Sequence, residues 1–112
     1  LNPIYFDFDM FNITNQAAFE LDKLVAIMKK YPKMVISAES HTDSRGPSSY
    51  NKLLSDKRAK STAQYVVSKG ISEERISGIG KGEEDPEIDC ESGCSKDDHA
   101  KNRRSEFIII SR

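Results

Sequence analysis

The chain has no excess of either charge. Its 17 lysines and arginines face 18 aspartates and glutamates, a formal net charge of -1, so the basic footprint of a nucleic-acid binder is missing. Long apolar runs are missing too, and no stretch approaches the roughly 20 residues a helix needs to cross a bilayer. No serine or cysteine stands in a nucleophile motif. There is no internal repeat and no low-complexity segment. The start, Leu1-Asn2-Pro3-Ile4-Tyr5, has no initiating Met and no secretion-signal pattern, so we read it as a piece of a longer protein, which leaves export open. What is present is 112 residues, 37% of them hydrophobic. That is enough for one compact core and too little for two ordinary domains, so one domain over residues 1–112 is expected.

Strand-like and helix-like patterns alternate along the chain. Ile4 to Phe8 is rich in β-branched and aromatic residues after Pro3 and reads as a first strand. Asn12 and Thr14 can cap a helix whose apolar set, Ala17, Leu21, Leu24, Val25 and Met28, forms one face. Pro32 ends that helix. Met34 to Ala38 reads as a second strand, stopped by the polar turn His41 to Pro47. A second helix is expected from about Ser48 to Lys69, with Ala59, Ala63, Val66 and Val67 inward. Gly70 is its left-handed stop and Ile71 the hydrophobic partner of that stop. Ile76 to Ile79 is a short strand, and Gly80 to Pro86 a loop. Ser95 and Asp98 have the spacing of a capping box opening a short helical stretch before Asn102. Glu106 to Ile110 is a last strand, whose unbroken apolar run predicts burial on both faces. The order β-α-β-α-β-β implies an α+β fold, a two-layer α/β sandwich with a mixed sheet and the two long helices on one face.

The chemistry gathers at the turn after strand two. Asn51, Leu54 and Arg58, spaced by three and four, share one helix face, and Asp43 sits in the turn that feeds that helix. An acid suited to an ammonium and a guanidinium suited to a carboxylate could face a common, solvent-facing cleft and grip a zwitterion. The plainer alternative has Asp43 satisfying amides of its own turn and Arg58 in a surface ion pair with a neighbour such as Asp56. A third reading is hydrolytic, with Asp7, Asp9 and Asp43 as carboxylates and His41 as base. Against it stand the missing nucleophile motif and the expectation that His41 is a turn or edge residue.

His41-Thr42-Asp43-Ser44-Arg45-Gly46, then Tyr50-Asn51, then Leu54-Ser55-Asp56-Lys57-Arg58-Ala59 resembles the signature of the OmpA-like peptidoglycan-binding domains. The first strand with Asp9, Arg75-Ile76, Gly78-Ile79-Gly80-Lys81-Gly82 with Pro86, and Asn102 to Phe107 extend the likeness nearly end to end. The resemblance implies that Asp43 and Arg58 hold the amino acid end of meso-diaminopimelate, the diamino acid of the wall's stem peptide. It further implies that Asn51, Leu54, Thr42, Phe8, Asp9 and Arg103 line the same cleft. The function expected is non-enzymatic anchoring to the cell wall, with no cofactor and no nucleic-acid partner. The parent would be an outer-membrane protein or lipoprotein of a Gram-negative bacterium, facing the periplasm; a motor stator is the alternative parent.

The loop Glu83 to Asp98 is longer than the family's common form and holds both cysteines. In a secreted domain Cys90 and Cys94 read as a disulfide. A metal site from Cys90, Cys94, His99 and His41 is the rival, but the usual zinc-ligand spacing is missing, so no metal is expected. Gly78, Gly80 and Gly82 could suggest a phosphate cradle. A phosphate there would meet Glu83, Glu84 and Asp85, and no helix follows, so they read as turn residues.

Overall fold

The computed structural model describes residues 1–84, 86–90 and 93–112. Asp85 of the acidic loop, and Glu91 and Ser92 between the cysteines, lie outside the described residues.

Thr14 opens the first helix, α1 (Asn15–Lys30), its hydroxyl accepting from the Ala17 amide at 3.1 Å. The five apolar residues expected on one face are all buried. The second helix, α2 (Ser48–Ser68), buries Ala59 and Val66 fully and Ala63 and Val67 in part. Gly70 takes φ 106° and Ile71 folds back into the core, as a left-handed helix stop requires. Ser95 and Asp98 form the capping box of α3 (Lys96–Asn102).

Four strands make one mixed sheet in the order β1-β4-β2-β3. They are β1 (Ile4–Tyr5), β2 (Val35–Ser40), β3 (Ile76–Gly80) and β4 (Arg104–Ser111). β4 runs antiparallel to both β1 and β2, while β2 and β3 are parallel. Inward residues Ile4, Ile36 and Ile76 pack with the apolar faces of α1 and α2 in one core. The fold is therefore the α+β sandwich expected, with α3 set between β3 and β4 in the chain.

Three local expectations are corrected. The apolar run of β4 is covered on one face only, for Ile108 and Ile110 stand 41% and 61% exposed. With two layers, no helix among the described residues covers the back of β4, and an unbroken apolar run cannot reveal that. The first strand stops at Tyr5 rather than Phe8, and Asp9 takes φ 58°. The carbonyls of Asp7 and Met10 turn instead to Arg58, whose Nη2 and Nε donate to them at 3.1 and 2.8 Å. Finally, Gly78 and Gly80 lie inside β3 rather than in turns. A Cβ on Gly78 would stand 2.7 Å from the Ala59 carbonyl oxygen, so the absent side chain lets α2 lie directly on β3. Only Gly82, at φ 61°, keeps a turn's role.

Candidate functional site

The site forms where β2 runs out. Past Ser40 the chain stays pinned, His41 N donating to Arg104 O at 2.7 Å and Thr42 N to Gly82 O at 2.8 Å. It then turns through Gly46, at φ 86°, into Pro47, which precedes α2. Asn51 on the first turns of α2 ties this loop down, its amide donating to Arg45 O at 3.1 Å and to Glu83 Oε1 at 3.3 Å. One turn on, Leu54 supplies an apolar wall, and Arg58 closes the cleft from behind. The resulting pocket, of about 280 Å³, is lined by Thr42, Asp43, Asn51, Leu54, Arg58 and, from the loop after β1, Phe8 and Asp9. Seven of the eight residues expected at the site thus share one cavity. The eighth, Arg103, reaches it through Asp43.

Both charged residues are buried, contrary to the expected solvent-facing cleft: Asp43 is 4% exposed and Arg58 is 0% exposed. Arg58 makes no ion pair with Asp56, which pairs with Lys52 at 3.1 Å. It donates instead to three carbonyls, those of Asp7 and Met10 and that of His41 at 3.1 Å. Three of its five N–H groups are spent in these bonds, which leaves one on each terminal nitrogen. Burial, and after it the repulsion of Arg103, pulls the Arg58 pKa down to about 10, so it stays cationic at neutral pH.

Asp43 does accept an amide of its own turn, Arg45 N at 3.1 Å, but it also carries two guanidiniums. Arg45 Nη2 reaches its Oδ2 at 2.8 Å and Arg103 Nη1 the same oxygen at 3.4 Å. Burial pushes the carboxyl upward. The bonds and charge of Arg45, with Arg103 beside it, outweigh that and hold it below the ordinary value of 3.8. Asp43 is thus a fixed carboxylate within a cationic ring, Arg58 included, rather than a lone acid awaiting an ammonium.

Sequence reasoning missed Arg45 and Tyr50. The Arg45 guanidinium lies 4.3 Å over the Phe8 ring while holding Asp43, and the Tyr50 hydroxyl donates to Asp9. Both lie within the motif that carried the family resemblance, but their partners come from the irregular loop after β1, which no periodicity announces.

His41 stands at the head of the turn, just past β2, rather than on an edge. It is buried, its Nδ1 3.3 Å from Glu84 O and its Nε2 without a partner among the described residues. Burial first, and then Arg104, lowers its pKa from 6.5, so the ring is neutral. Cys90 and Cys94 are joined in a disulfide with a Cα separation of 5.2 Å. His99 stands close to both sulfurs, whereas His41 is absent from that group.

The model of the OmpA family matches residues 5–103. The chain belongs to the OmpA family. It is 36% identical over 107 residues to a peptidoglycan-associated lipoprotein of Buchnera aphidicola, a match covering 96% of this chain and 60% of that protein. It is 34% identical over 106 residues to outer membrane porin F of Pseudomonas fluorescens, covering 95% and 32%. This OmpA-family chain therefore spans less than two thirds of either relative. Among solved structures, the peptidoglycan-associated lipoprotein of Burkholderia pseudomallei aligns with a TM-score of 0.87 at 28% identity, over 96% of this chain and 88% of that one. The C-terminal domain of Helicobacter pylori MotB reaches a TM-score of 0.88 over 100% of this chain and 86% of that one, and at 19% identity it speaks for the fold alone.

Proposed function

We propose that residues 1–112 form a peptidoglycan-binding domain, which holds the wall non-covalently through the diaminopimelate of its stem peptide. The parent protein is anchored in a Gram-negative outer membrane and faces the periplasm. The observation that carries this reading is the convergence of a buried carboxylate, Asp43, and a buried guanidinium, Arg58, on one pocket of about 280 Å³. Diaminopimelate presents an ammonium and a carboxylate on the same carbon. The ligand's carboxylate meets the two N–H groups left on Arg58, where a planar fork is worth more than a point charge. Its ammonium joins Arg45 and Arg103 at the Asp43 carboxylate, and the Leu54 side chain lies along the methylene chain. The amide of Asn51 and the Thr42 hydroxyl, which has no partner among the described residues, add neutral polar contacts. Family membership supports the same reading, since relatives at 31 to 38% identity are named peptidoglycan-associated lipoproteins.

A binding role without turnover suits the geometry. His41, the base of the hydrolytic alternative, has its ring turned to Glu84 O and sealed from solvent. Of its exposed candidate carboxylates, Asp9 is engaged by Tyr50. The deciding experiment is co-sedimentation with purified peptidoglycan, followed by assay of the supernatant for muropeptides. The domain is expected in the pellet with no fragments released. Time-dependent release of sugar or peptide would establish a hydrolase instead.

A further inference from the structure

A second groove, of about 810 Å³, lies between β1, the start of α1 and α3. It is larger than the cleft and shares none of the residues that line it. Its charges balance, with Asp7 and Asp97 against Lys101 and Arg103, so it selects for neither an anion nor a cation. What remains is neutral and directional. The carboxamides of Asn15 and Gln16 both donate and accept, and the Tyr5 ring, 38% exposed, offers an apolar body and a polar tip. That set matches a neutral ring carrying hydroxyl and amide substituents, which is the chemistry of an N-acetylated amino sugar.

The groove's position gives the sugar a reason to be there. Arg103 is the partition, for it lines the groove while its Nη1 stands 3.4 Å from Asp43 on the cleft floor. The backbone of Phe6 and Asp7 runs through the same partition, tied by Arg103 Nε to Phe6 O at 2.8 Å and by Arg58 Nη2 to Asp7 O at 3.1 Å. Cleft and groove are therefore separated by the thickness of a side chain. In peptidoglycan two residues, the second a γ-linked D-glutamate, join the diamino acid to the muramic acid, and two extended residues span at least about 7 Å. That reach is enough for a stem peptide seated in the cleft to bring its sugars to the groove.

We propose that this groove is a glycan subsite, which takes the N-acetylated disaccharide bearing the stem peptide. The proposal rests on the stem-peptide reading above and adds a second contact on the same polymer. Linking two weak contacts through a short covalent tether raises affinity without any change in either.

The test compares two probes by calorimetry: the tripeptide L-alanyl-γ-D-glutamyl-meso-diaminopimelate, and the same tripeptide on its N-acetylglucosaminyl-N-acetylmuramic acid disaccharide. Wild type is expected to bind the disaccharide-tripeptide about tenfold tighter. Gln16→Ala, on the exposed start of a helix, and Tyr5→Leu, which keeps an apolar strand residue, are expected to lose that gain and to bind the bare tripeptide as wild type does. Side-chain amide resonances of Asn15 and Gln16 should shift with the disaccharide probe and stay put with the tripeptide. Equal affinity of wild type for the two probes, with no amide shift, overturns the subsite and leaves the stem-peptide reading standing. Failure of the bare tripeptide alone, with sugar-dependent binding lost in Gln16→Ala, overturns the stem-peptide reading and keeps the subsite. Failure of both probes overturns both.

Discussion

Arg103 joins two parts of the chain that are far apart in sequence: its Nη1 stands 3.4 Å from Asp43 Oδ2 while its Nε donates to Phe6 O at 2.8 Å. The side chain is 14% exposed, so both bonds form largely out of water. Arg103→Gln keeps a polar side chain of shorter reach and loses both charge-assisted contacts. Hydrogen bonds to charged groups are worth about 1.5 to 3 kcal/mol, and a loss near the lower end is expected in urea unfolding. On the proposed function, tripeptide binding should weaken as well, because Asp43 and the Phe6–Asp7 backbone are both released.

Asp43→Asn separates the site's chemistry from its architecture. The amide keeps the shape of the carboxylate and an acceptor for Arg45 N, so the fold should survive, with a modest drop in melting temperature. Losing the charge opposite a bound ammonium typically costs about 2 to 5 kcal/mol, against the roughly 8 kcal/mol of a micromolar complex. Calorimetry with the diaminopimelate tripeptide should therefore show binding at or below detection. Wild-type affinity in Asp43→Asn would place the ligand elsewhere.

Arg58 behaves differently because it is a core residue as well as a cleft residue. Arg58→Ala removes the donor to the buried His41 carbonyl and to the part-buried carbonyls of Asp7 and Met10, and leaves a cavity where a fully buried side chain stood. A buried unsatisfied carbonyl costs about 1 to 3 kcal/mol and the lost packing of a large buried side chain adds about 2 to 5 kcal/mol, together a large share of the roughly 5 to 15 kcal/mol of a domain's whole stability. Arg58→Ala is expected to be largely unfolded by circular dichroism. Arg58→Lys should fold with reduced stability, since one ammonium cannot reach three divergent carbonyls, and should bind the tripeptide poorly.

Stability should fall in two separate steps on acidification. His41 has a folded pKa below its unfolded 6.5, so above 6.5 both states are neutral and its contribution is complete. As pH drops below 6.5 the unfolded chain takes up the proton first, and stability declines until the folded pKa is passed. Asp43, held below 3.8, contributes fully above that value and loses its contribution as pH falls through the folded pKa. Denaturant unfolding followed from neutral to acid pH should show both steps, and His41→Gln should remove the first while sparing the second. A single decline confined to the carboxylate range in wild type would refute the role given to His41.

The disulfide closes a sequence separation of only 4 residues, for which chain-entropy arguments give about 2 kcal/mol. Reduction, or Cys90→Ser with Cys94→Ser, should lower the melting temperature without altering tripeptide affinity. A change in affinity would show that this loop also shapes the cleft.

The elements that depend on near neighbours are legible in the amino-acid sequence itself. The α1 face, the Thr14 cap, the Gly70 stop and the Ser95–Asp98 capping box each involve contacts within a few residues, and local spacing encodes them directly. Asn51, Leu54 and Arg58 are legible as one helix face for the same reason. The family resemblance then supplies Phe8, Asp9 and Arg103, which local spacing does not connect to the cleft.

Tertiary structure alone decides the rest. Arg58 takes its carbonyl partners at separations of 48, 17 and 51 residues, and carbonyls are the same for every residue type, so no side-chain pattern marks them. Those bonds draw the chain away from the sheet after Tyr5 and bury a cation that spacing alone places at the surface. The one-sided cover of β4, and the close approach of α2 to Gly78, are equally invisible in the sequence. A strand's two faces, and the distance between a helix and a sheet, are set by what packs against them.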